Sequence, residues 1–116
     1  MRNDLKDRTK KFAVDCWFLC SKLPKTREYN AYVNQLIRCS SSVGANYRAS
    51  QRAKSTKDFL NKLKIVEEEA DESAYFLELL HVVSTMNLDE INRLHKEAEE
   101  ILAIMVSSIN TTRKKL

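Results

Sequence analysis

An all-α, up-down-up-down antiparallel four-helix bundle is the fold this sequence predicts, and three observations carry that reading. The 116 residues contain one glycine and one proline, far too few turn formers for a sandwich or an α/β fold. Apolar residues recur at alternating three- and four-residue steps through four segments. The breaks between the segments are short, and short joints make successive helices antiparallel neighbours.

The first helix carries Leu5, Phe12, Cys16, Leu19 and Leu23 on one face and stops at Pro24, whose ring and missing N–H end a helix. Thr26 caps a second helix with the inner stripe Tyr29, Tyr32 or Val33, Leu36, Ser40, Val43 and Tyr47. Ser55 and Asp58 read as a capping box opening the third, whose stripe is Phe59, Leu63, Val66, Ala70, Ser73, Leu77 and Leu80. Asn87 with Glu90 is expected to cap the fourth, which buries Ile91, Leu94, Ala98, Ile101, Met105 and Ile109. Without an internal repeat or a linker, residues 1–116 read as one domain. Its 43% apolar and 31% charged residues suit a folded globular chain.

The lone glycine, Gly44, falls inside the second helix, where it costs about 1 kcal/mol against alanine. Two readings offset that cost. Gly44 and Ser40 leave room for a facing helix or for bulky Phe59 and Trp17, or Gly44-Ala45-Asn46 bends the helix to aim Arg48 and Arg52. A phosphate-cradling loop needs more than one glycine.

Cys16, Cys20 and Cys39 give an odd count without framework spacing and read as buried thiols in a reducing cytoplasm. No signal peptide and no transmembrane run of about 18 apolar residues is expected. His81 and His95 are isolated boundary residues. Glu67, Glu68, Glu69, Asp71 and Glu72 lack the Glu-x-x-His partners of a bundle di-metal site and read as a solvated face. Ser40 to Ser42 have no base placed by a motif. No catalytic residue, metal or cofactor is expected, and the enzyme class is set aside.

Charge says more. The formal net charge is only +4, but the signs are sorted along the chain. Arg48, Arg52, Lys54, Lys57, Lys62 and Lys64 stand against the single acid Asp58, and the charged residues from Glu67 to Glu78 are then all acids. Topology brings the start of the first helix, the second joint and the end of the fourth helix to one pole. Arg2, Lys6, Arg8, Lys10 and Lys11 converge there with Arg48 to Lys57 and with Arg113, Lys114 and Lys115. Such a pole is either a solvated end or a phosphate-binding surface. The candidate nucleic-acid contacts are Arg48, Arg52, Lys54, Lys57, Lys10, Lys11, Arg113 and Lys114. Tyr47 is the one aromatic near them.

The segment "SSVGANYRASQRAKSTKDFLNKLKIVEEEADESAYFLELL", Ser41 to Leu80, resembles the signature region of the bacterial four-helix-bundle proteins also called 23S rRNA intervening-sequence proteins. The Ser-Val-Gly-Ala-Asn core, the Ser-x-x-Asp-Phe opening and the "EEEADES" run before an aromatic and "LELL" fall in order. The resemblance implies an antiparallel bundle and a homo-oligomeric ring, with pentamers favoured. It implies no reaction. A distantly similar bundle is the accessory protein of diversity-generating retroelements, which makes RNA or DNA and a nucleic-acid enzyme such as a reverse transcriptase the implied partners. Some relatives carry a carboxylate after the asparagine, where this chain has Tyr47-Arg48 and is more basic.

Apolar residues outside the stripes point to assembly. A 100° wheel turns Val14, Trp17 and Phe18 of the first helix outward, and Tyr75, Leu79 and Val82 of the third, flanked by Phe76 and Val83. They read as an oligomer interface or as packing on the neighbouring helix. Two functions follow: a nonenzymatic, homo-oligomeric nucleic-acid-binding accessory, or a structural oligomer and protein-interaction scaffold with an incidental basic pole.

Overall fold

Among the described residues, four helices follow one another: α1 (Arg2–Lys22), α2 (Arg27–Ser50), α3 (Thr56–Val83) and α4 (Leu88–Lys114). The computed structural model describes the backbone of residues 2–116 and the side chains from Asp4 onward. Each helix packs on the next and α4 returns to α1, while the described residues bring neither α1 to α3 nor α2 to α4. That is the square of an up-down-up-down antiparallel bundle, 48 Å long and 21 by 20 Å across.

The caps form largely where the sequence puts them. Thr26 accepts a hydrogen bond from the Tyr29 N–H at 3.1 Å, and Ser55 accepts one from the Asp58 N–H at 3.1 Å. Asp58 does not complete a capping box: its carboxylate takes the N–H of Lys54, one residue further out, at 3.1 Å. Asn87 also departs from expectation. It stands at the N-cap in a left-handed conformation, φ 62°, and its side chain makes no capping hydrogen bond. Glu90 reaches instead to Lys22 of α1 at 2.9 Å.

Every residue of the four inner stripes is buried or half-buried. Leu36, Val43, Val66, Leu77, Leu80 and Ile101 are fully enclosed, and burying such side chains stabilises by about 1.5–3 kcal/mol each before conformational entropy is charged against it. The polar stripe members stay satisfied within their own helices. Ser73 donates to the Glu69 carbonyl at 2.8 Å and Ser40 to the Ile37 carbonyl at 3.4 Å.

Gly44 is buried, and its neighbour is neither Phe59 nor Trp17 but Thr9 of α1. A Cβ at Gly44 would lie 3.3 Å from Thr9 Oγ1 and 3.5 Å from the Thr9 carbonyl carbon. α2 continues unbroken through this point, so the packing reading describes it. Leucine at this position should overpack the α1–α2 seam and lower stability by about 1–3 kcal/mol. Gly44→Ala should be near neutral, because a propensity gain of about 1 kcal/mol is offset by pushing on Thr9, whose hydroxyl is tied to the Lys6 carbonyl at 3.2 Å. In a Thr9→Ala background the same alanine should become stabilising. A urea double-mutant cycle reads that coupling, and a leucine variant with an unchanged midpoint would place Gly44 at solvent.

Cys16, Cys20 and Cys39 are free thiols inside the core. Cys39 Sγ lies 3.2 Å from Ser73 Oγ. Burial pushes all three thiols up, Cys20 to about 11. Among the described residues no three His, Cys, Asp or Glu side chains gather with metal-binding geometry. The folded chain therefore holds thiol protons that the unfolded chain begins to lose near pH 9. The associated stability is complete below that pH and declines as pH rises from about 9 towards 11. Urea midpoints measured across that window should fall, and Cys20→Ala should flatten part of the slope.

Candidate nucleic-acid interface

The start of α1, the end of α2, the start of α3 and the end of α4 meet at one end of the bundle, around a pocket of ≈ 490 Å³ with Leu5, Gln51, Phe59 and Thr112 in its walls. Arg48 occupies the last turn of α2, and Arg113 and Lys114 the last turn of α4. Helix carbonyls point outward there and favour cations. Arg52 and Lys54 lie in the α2–α3 joint, which is held by Arg52 N–H to the Ala49 carbonyl at 3.1 Å and Ala53 N–H to the Ser50 carbonyl at 3.2 Å. Lys57 sits in the first turn of α3, where the dipole opposes a cation. Asp58 beside it offsets that penalty. Its hydrogen bonds from Lys62 Nζ at 2.7 Å and from the Lys54 N–H hold its carboxyl below the usual range.

Pairing divides the cations into two populations. Among the described residues, no ion pair involves Lys6, Lys10, Arg48, Arg52, Lys54, Lys57, Arg113 or Lys114. Most cations away from the pole are tied to carboxylates; Lys25 instead donates to the Ser21 and Leu23 carbonyls, and Lys96 has no ion pair among the described residues. Arg38 spans Glu69 at 3.3 Å and Glu72, so part of the acidic run braces α2 against α3 instead of standing free in solvent. Lys64 meets Glu67 at 3.5 Å. Two residues counted with the pole, Arg8 and Lys11, are paired. Arg8 grips both oxygens of Glu97 at 2.6 and 2.8 Å and reaches Glu100 at 2.6 Å. Lys11 meets Asp15 at 2.9 Å, on the side of α1 where Arg93 of α4 reaches the same carboxylate at 3.4 Å. Arg2, counted with the pole in the sequence, lies outside the described side chains.

Lys6 and Lys10 stand on the other side of α1. With Arg48 they line a cleft of ≈ 580 Å³ between α1 and α2, where Gly44, Ala45 and Ala13 add small surfaces and Asp7 the one carboxylate. The sequence places these cations at one end of the bundle but does not single out the cleft. Its legible trace is small residues at 13, 44 and 45 flanked by basic ones. Tyr47 is 3% exposed and offers no ring face to a base.

The apolar residues named for assembly divide. Val14, Trp17 and Phe18 on α1, and Tyr75, Val82 and Val83 on α3, are 43–76% exposed. Leu79 and Phe76 are half-buried, with the Phe76 ring 6.0 Å from that of Tyr32. Phe76 thus faces the α2–α3 seam, and Leu79 is less exposed than the wheel placed it. Because α1 and α3 are diagonal, the two exposed patches occupy opposite flanks. Both lie in the half of the bundle away from the basic pole.

No described helix is long and apolar enough to cross a membrane. Residues 2–107 match the family model of the 23S rRNA-intervening sequence protein. The chain is similar to a crystal structure of a protein of unknown function from the S23 ribosomal protein family of Bacteroides thetaiotaomicron. The two share 32% identity over 95% of this chain and 99% of that one, with a TM-score of 0.85. Among curated proteins none matches.

Proposed function

Since the chain belongs to the 23S rRNA-intervening sequence protein family, we propose that it is a nonenzymatic homo-oligomer that binds RNA or DNA phosphates through its basic pole, as an accessory to a larger nucleic-acid machine. One observation carries this reading: among the described residues, cations from three separate stretches of chain meet at one end without carboxylate partners, while most cations elsewhere are paired. Surface cations held free of counter-charges are available to phosphates, whose contacts fix position without reading sequence. With Tyr47 enclosed, binding at the pole rests on phosphate contacts and is electrostatic and salt-sensitive. An enzyme acting on nucleic acid, such as a reverse transcriptase, is the protein partner that the family resemblance implies.

Assembly fits the same reading. Apolar patches on opposite flanks at one height suit a head-to-tail contact, the α1 patch of one copy against the α3 patch of the next. Head-to-tail contacts that close make rings, and a pentamer is the form favoured for this one. A ring built this way sets every basic pole on one side, where weak phosphate contacts add by avidity.

Reversing Arg48, Arg52, Lys54 and Lys57 to glutamate should abolish gel retardation of RNA and duplex DNA at about 50 mM salt, with the helical circular dichroism unchanged. A wild-type chain that retards neither polymer at that salt would leave the scaffold as the better reading.

For assembly, Trp17→Glu and Val82→Glu are the informative changes, because both side chains are more than half exposed and the fold does not need them. Either should give the 13.5 kDa monomer by light scattering where the wild type is larger. A wild type that is already monomeric at micromolar concentration would remove the ring and its avidity.

A further inference from the structure

The cations of α1 are sorted by side. Arg8 and Lys11 turn towards α4 and are consumed by Glu97, Glu100 and Asp15. Lys6 and Lys10 stand on the α2 side, without ion pairs among the described residues, and line the ≈ 580 Å³ cleft with Arg48. The cleft exists because the surfaces between these cations are small. Gly44 presents no side chain, the Thr9 hydroxyl is turned back to the Lys6 carbonyl, and Ala45 and Ala13 add little bulk. Lys6 and Lys10 are one turn apart, about 6 Å along the axis, a spacing comparable with that of successive phosphates on an extended strand.

We propose that this cleft seats the sugar–phosphate backbone of a single nucleic-acid strand, with Lys6 and Lys10 on one wall and Arg48 on the other, leading the strand off the basic pole along the α1–α2 seam. The proposal rests on reading the pole as a phosphate-binding surface and names the form of nucleic acid that one side of it takes. Touching all three cations requires a backbone that enters between two helices. A lone strand has the torsional freedom to do so, whereas duplex backbone is held on a convex cylinder by its partner strand. Asp7 leaves three cations against one carboxylate in the cleft. That excess is enough to guide a polyanion already held at the pole and too small to trap a free phosphate ion.

Ala45 is exposed on α2, so Ala45→Trp fills the cleft with every charge unchanged. Binding of an oligouridylate of about 12 nucleotides should weaken by about tenfold in this variant, with loss of two phosphate contacts' share of the salt dependence. Duplex binding should stay within error. Lys6→Gln with Lys10→Gln should lower the salt slope for the oligouridylate by about two. Ala45→Leu serves as a milder wedge if circular dichroism finds the tryptophan variant misfolded. A wedged cleft that binds the oligouridylate as wild type does, or that loses duplex equally, overturns the proposal. The pole reading survives that result as long as charge reversal at Arg52, Lys54 and Lys57 abolishes binding. A wild type that binds neither polymer overturns both.

Discussion

The approach of α1 to α2 at Thr9 and Gly44 is the constraint on which the rest of the molecule depends. α1 brings Phe12, Cys16, Leu19 and Leu23 to the core, and those side chains reach it only if the two backbones come close. Gly44 permits that by having no side chain: even a methyl there would press on Thr9 at 3.3 Å. The cost of a glycine inside a helix, about 1 kcal/mol, is offset by a seam that closes the square. The same small surfaces leave a cleft beside the contact, so one packing requirement shapes both the fold and the candidate binding surface.

The rotation of α1 about its axis, set by its buried stripe of Phe12, Cys16, Leu19 and Leu23, is matched by charge on the α4 side. Arg8 holds Glu97 in a two-pronged grip, Asp15 is shared by Lys11 and Arg93, and Lys22 meets Glu90. Exposed pairs of this kind add about 0–1 kcal/mol each, too little to drive folding. Their planar, directional geometry nonetheless specifies which side of α1 faces α4. With that side committed, Lys6 and Lys10 come to the α2 side and Trp17 and Phe18 to solvent. Burial of one face and pairing on a second thereby leave the remaining faces to solvent and to the cleft.

The two ends of the bundle consequently differ in character. One carries cations with helix C-termini of α2 and α4 behind two of the clusters, and the dipoles of those helices reinforce the separation of charge from any carboxylate. The flanks of the other half carry exposed aromatic and aliphatic side chains, an apolar surface of the kind that marks interaction sites. Apart from Val14, which also lines the cleft, these apolar side chains stand away from the basic end.

Sequence by itself determined the helices, their order and their inner stripes, because apolar spacing at 3.6 residues per turn and the Thr26 and Ser55 caps are local properties. It also brought the basic clusters to one end, since antiparallel order follows from short joints. What it did not contain is how each helix is rotated against two neighbours at once. That alone decided that Thr9 is the partner of Gly44, that Arg8 and Lys11 are spent on α4 and Asp15, and that Phe76 turns into the α2–α3 seam. Asn87 was legible as a helix start but not as a left-handed one. A helical wheel has one inside and one outside, whereas a helix in a square bundle has two flanking seams between them. Which cations stay free is settled in those seams, by carboxylates that lie far away in the chain and within hydrogen-bonding distance only once it has folded.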